Sequence, residues 1–100
     1  MIDQIILLLG DTTVINTPTI EAAISVASQH YLRFRPYTSE NWGTVPRAYS
    51  WIMEYALATC KLLVGDYRLT LNSNDTSATE LIAVGSTAIT SLNQELITYP

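Results

Sequence analysis

"RAYSWIMEYALATCKLLVGDYR", residues 47–68, decides the fold, because it reads as one long helix with too little polar surface. On a wheel at about 100° per residue, Arg47, Ser50, Glu54, Lys61 and Arg68 fall within an arc of roughly 60°. The remaining arc carries Tyr49, Trp51, Ile52, Met53, Tyr55, Ala56, Leu57, Cys60, Leu62, Leu63 and Val64. A surface helix buries an apolar stripe a little over about 100° wide and shows the rest to water. Here the proportions are reversed. Either the rest of the chain wraps a central helix, or copies of the molecule cover it. Burying one such side chain contributes roughly 1.5–3 kcal/mol, so several left in water would be costly. Trp51, Tyr55 and Leu62 share one part of the circumference and are candidates for a neighbouring subunit, together with Trp42, Tyr67, Ile82 and Ile89. Arg47, Glu54, Lys61 and Arg68 form the polar stripe.

Upstream, "NTPTIEAA" opens a second helix. Thr17 is placed to cap it, Pro18 suits the first turn, and Glu21 favours the positive end. Ile20, Ala23, Ile24, Ala27, Tyr31 and Phe34 give it one apolar face. Pro36 makes Arg35 a poor helical residue, so this helix spans residues 17–35. "PYTSENWG" is a loop, after which the long helix runs over 44–68 with Pro46 in its first turn. "LNSNDTS" is a turn plus cap, and "SATE" fits a capping box for a last helix over 76–97. Ile82, Gly85, Ile89, Leu92 and Leu96 then make a narrow seam, with Gly85 suited to close backbone approach. The first 16 residues form a short apolar arm, Ile2 to Leu9, whose periodicity fits helix or strand. The expected fold is mostly α-helical: one domain of three main helices plus that arm.

Composition narrows the function. Hydrophobic residues make up 48% and charged residues only 14% of the 100 residues, against a usual charged quarter. Some of the exterior must therefore be apolar, which favours contact with other protein surface. A net charge of −4 with five basic residues argues against a nucleic-acid-binding surface. "YLRFRPY", residues 31–37, is the one place where aromatics alternate with arginine, and core or interface anchoring explains it better than base stacking. The apolar run from Ile5 to Leu9 is too short to span a bilayer and is preceded by Asp3, so neither a membrane anchor nor a targeting segment is expected.

Chemistry is poorly served. His30 is the sole histidine and has no acidic partner nearby in sequence, so a packed or surface role is expected. Cys60 sits within "ALATCKLL", which suits a buried, inert thiol. One Cys, one His and scattered carboxylates make no zinc site, and "NSNDTS" lacks the glycine and terminal Glu of a calcium loop. No catalytic residue, cofactor or metal is expected.

At "EYALATCKLLVGDYR" the chain resembles small virion structural proteins of tailed phages, the neck or head–tail connector (adaptor) proteins. In these a long apolar helix ends in a Lys-x-x-x-Gly-x-x-Arg pattern, matched by Lys61, Gly65 and Arg68. The final helix matches through Leu81, Gly85, Leu92, Glu95 and Leu96, and "IEAAISVASQHYLRFRP" is similar to the first adaptor helix. The likeness runs from Thr17 onward. The linker "YTSENWGTV" is shorter than in that family, and the last helix is richer in Ser, Thr and Ala. The resemblance implies a non-enzymatic virion protein, assembled in the host cytoplasm as a ring of identical subunits, a dodecamer among the candidate forms. Its partners would be portal and tail or neck proteins, and DNA would pass through without specific binding, which an acidic balance suits. Two alternatives stay open: another tail or baseplate component, and a small helical adaptor binding a partner helix through its apolar face.

Overall fold

A computed structural model describes residues 1–10, 14–38 and 41–98 of the chain. Among the described residues the fold has four helices, α1 (Ile2–Leu9), α2 (Thr17–Phe34), α3 (Pro46–Leu71) and α4 (Thr76–Thr98), and a 3-10 turn at Trp42–Thr44. Among the described residues there is no strand, so the mostly α-helical reading holds. The apolar arm is itself helical, and its Ile5 is fully buried. Ile5 adds a fourth element to the core, and Gly10 ends the helix with a left-handed φ of 72° that suits glycine.

α3 is the axis on which α1, α2 and α4 all pack. Ile20, Ala23, Ala27 and Tyr31 present one face of α2 to Ala48, Ile52, Ala56 and Cys60 in a common core, joined by Leu92 and Leu96 of α4. The spacing read from the sequence thus faces inward on α2 as far as Tyr31, while Phe34 at its end is exposed. α2 ends at Phe34 with Arg35 as its cap, as the restriction before Pro36 demands. α3 begins two residues later than the turn chemistry suggests, because 42–44 form the 3-10 turn, and it continues to Leu71.

Both designated caps shift upstream. Asn16, not Thr17, caps α2: its Oδ1 accepts from the Thr19 N–H at 3.0 Å, and its backbone is extended as a cap requires. Asp75, not Ser77, caps α4. Its carboxylate accepts from the N–H groups of Ser77 (3.0 Å) and Ala78 (3.2 Å) and from the Ser77 hydroxyl (2.7 Å). A charged acceptor at the positive helix end makes a stronger bond than a hydroxyl, so it takes the site.

α3 and α4 meet through small residues. A Cβ on Gly65 would lie 2.9 Å from the Ala78 carbonyl oxygen, and one on Gly85 would lie 2.9 Å from that of Ala58. Ala58 and Ala78 are buried at these points. The two glycines let the backbones close up. The interval between α3 and α4 is therefore narrow, in a body measuring 44 × 27 × 17 Å.

Candidate interaction surface

Trp51 was expected at a subunit contact and is instead buried, with 3% of its surface exposed. Its indole N–H donates to the Leu92 carbonyl at 3.0 Å, so its polar handle is used inside the chain. Tyr55 stacks on it with ring centroids 5.0 Å apart and is itself half-buried. The physical reason is α2. Near its carboxyl-terminal end His30 and Tyr31 lie over Trp51 and Tyr55, covering part of the arc that the wheel left open.

The other candidates divide in the same way. Leu62 is half-buried against Gly85, and Ile82 is half-buried against Gly65, so both serve the α3–α4 contact. Ile89 is half-buried on α4, and Trp42 is half-buried against the core. Of the seven, Tyr67 alone is exposed, at 49%. It does not stand by itself. Leu63 is 43% and Leu71 is 71% exposed, and the three lie at i, i+4 and i+8 on one face of α3. Sequence reasoning missed Leu63 and Leu71, although their spacing was visible in it.

The polar stripe borders a groove along the α3–α4 seam. Arg47, Ser50 and Glu54 are exposed, while Lys61 and Arg68 are half-buried. Glu54 and Lys61 face Ser91 and Glu95 of α4 across a cleft of about 370 Å³ floored by Leu57, Ala58, Ala88 and Leu92. Arg68 also lies close enough to Asp75 to help hold that carboxyl below its usual range. The larger causes are the Ser77 hydroxyl and the Ala78 N–H.

His30 is a packed residue. Its Nε2 lies 2.7 Å from Asn93 Oδ1, and its ring sits against those of Phe34, Trp51 and Tyr55. That arrangement bonds α2 to α4 and supplies no base beside a nucleophile. Cys60 is a free, buried thiol whose pKa is pushed up by burial, which disfavours the reactive thiolate. Among the described residues, no group of three His, Cys, Asp or Glu side chains could hold a metal ion. None of the described helices is long and apolar enough to cross a membrane.

Fold and surface together define a small all-α domain with a packed interior and an uncovered apolar row at one end of its longest helix. No family model, curated protein or solved structure matches the chain.

Proposed function

We propose that this chain is a non-enzymatic structural subunit of a tailed-phage virion, forming an oligomeric ring at the head–tail junction between portal and tail. The observation that carries the reading is the row of Leu63, Tyr67 and Leu71, which the chain leaves in water on its central helix. A contiguous apolar row on a domain with few charges is a contact waiting for protein surface. The resemblance supplies the kind of assembly. Two of the residues that carry it, Gly65 and Gly85, lie where α3 and α4 close on each other, so the motif includes the packing of the helical pair that presents the row.

Mass photometry of the purified chain, alone and with portal or tail protein, tests the proposal. A high-order oligomer, or one that forms on adding either partner, is the expected result. A monomer indifferent to both would overturn it. A second reading, an adaptor that binds one partner helix, is favoured by the α3–α4 groove and its bordering charges. It predicts a one-to-one complex with a monomeric or dimeric chain. Encoding among portal, capsid and tail genes would favour the first reading over the second.

A further inference from the structure

A ring requires two different patches on every copy, because a head-to-tail joint seats one patch of a subunit on another patch of the next. A two-fold pair uses a single patch twice. The Leu63–Tyr67–Leu71 row is one patch, with the exposed carboxylate of Asp66 three residues along the helix from Leu63. A second lies where α2 ends. Phe34 is 43% exposed there, and Tyr37 in the following turn is wholly exposed. The two border a shallow hollow with Pro36.

Charge distinguishes these patches. Of the five basic residues, Arg47, Lys61 and Arg68 belong to the α3 stripe. Arg35 is turned back, donating to the carbonyls of Phe34 (3.1 Å) and Leu96 (3.0 Å). Arg33 is left exposed beside Phe34. The corner is thus aromatic with a positive rim, and the row is apolar with an exposed carboxylate, Asp66, on one side and the half-buried Arg68, near Asp75, on the other. Row against row would bring two Asp66 carboxylates together, which is unfavourable. Row against corner pairs Asp66 with Arg33 and places a guanidinium within reach of the Tyr67 ring, an arrangement that attracts. The patches are also well separated: α2 meets Trp51 through His30 and Tyr31, just before the corner, and Tyr67 lies about 24 Å beyond Trp51 along α3 at 1.5 Å per residue.

We infer that the ring joint seats the Leu63–Tyr67–Leu71 row of one copy in the Arg33–Phe34–Tyr37 corner of the next, with Asp66 and Arg33 as its charged rim. The inference rests on the ring reading and specifies its contact. Each copy then makes two joints, one with either neighbour. A joint of these few side chains falls short of the roughly 20–30 residues a side of a standard stable interface. A single pair is therefore weak, and closure of the ring holds the assembly through the effective concentration of its neighbours.

The test uses the full chain at the concentration where the wild type assembles. Asp66→Arg and Arg33→Asp each weaken assembly about tenfold at low salt, and the double variant restores it. Both positions are exposed, so circular dichroism of every variant stays that of the wild type. For geometry, Tyr67→Cys and Tyr37→Cys are prepared separately and then mixed under oxidising conditions. The expected disulfide joins the two variants and forms poorly in either alone. A Tyr67→Cys self-cross-link would overturn the joint in favour of a two-fold pair. Leu7 is a further exposed apolar side chain, on α1, and a Tyr37→Cys cross-link to Leu7→Cys in place of Tyr67→Cys would assign the corner's occupant to α1 and also overturn it. Wild-type rings indifferent to both charge reversals would sink the joint and leave the ring reading intact. A wild type that never assembles, even with portal or tail protein, defeats both.

Discussion

The first and second halves of α3 have similar apolar content and different surroundings. From Ala48 to Cys60 the apolar side of the helix is covered by its own chain, with Trp51, Ile52 and Ala56 all buried and the polar Ser50 and Glu54 left exposed. From Leu63 to Leu71, Val64 and Gly65 are buried, while Leu63, Tyr67 and Leu71 stand in water. The cause is length. α2 has 18 residues to the 26 of α3, and its last turn is fixed beside Trp51 and Tyr55, so it leaves the far end uncovered. One helix therefore does two jobs: it nucleates a core at one end and offers a contact at the other.

The largest test of that contrast is Trp51→Ala. It removes the centre of the aromatic cluster and leaves the Leu92 carbonyl without its indole donor, so a loss of about 3–5 kcal/mol is expected in urea unfolding. A loss under about 1 kcal/mol would mean that the first half is not a core. Next is Gly65→Ala. Alanine's better helix propensity offers about 1 kcal/mol, but the new methyl meets the Ala78 backbone carbonyl, which cannot move without shifting α4. Overpacking of this kind costs about 1–3 kcal/mol. A net decrease in the urea midpoint is expected, and an increase would show that α3 and α4 have room for a methyl group at Gly65.

Much of this was legible from the chain alone, and the parts that were not share a cause. Pro18, Pro36 and Pro46 mark helix boundaries through local sterics, which act wherever the chain goes. Asn16 and Thr17 are both competent caps, as are Asp75, Ser77 and their neighbours, so the choice depends on which residue the backbone leaves extended. The run Ile5 to Leu9 is helical because α3 offers Ile5 an apolar seat, a tertiary fact. Trp51 and Tyr67 pose the same problem at larger scale. A helical wheel gives the direction of each side chain and says nothing of how far α2 extends along the axis.

A smaller effect is expected at Asp75. Asp75→Ala removes the acceptor for two N–H groups at the start of α4 and should lower the urea midpoint. Folding depresses the carboxyl's pKa, chiefly through the Ser77 hydroxyl and the Ala78 N–H. A depressed carboxyl stabilises the fold above its unfolded value of about 4, and that contribution is lost as pH falls through the lower folded value. The gap between variant and wild type should thus be constant from neutrality to about pH 4 and close below it. A gap that opens on acidification would place the carboxylate elsewhere than on the helix end.

The smallest effect on folding is expected at Tyr67, and its smallness is the point. A half-exposed ring at the uncovered end contributes little to a monomer, so Tyr67→Ser should change unfolding by less than about 1 kcal/mol. If the row is a contact, the same substitution should still reduce assembly, since an aromatic anchor at an interface costs about 2 kcal/mol or more when truncated. Trp51→Ala behaves in the opposite sense, losing assembly only to the extent that the chain unfolds. Measured side by side on the same preparations, the two substitutions separate a residue that builds the domain from one that joins it to another. If Tyr67→Ser destabilised the fold as much as Trp51→Ala, or left assembly untouched, the two halves of α3 would not differ in function.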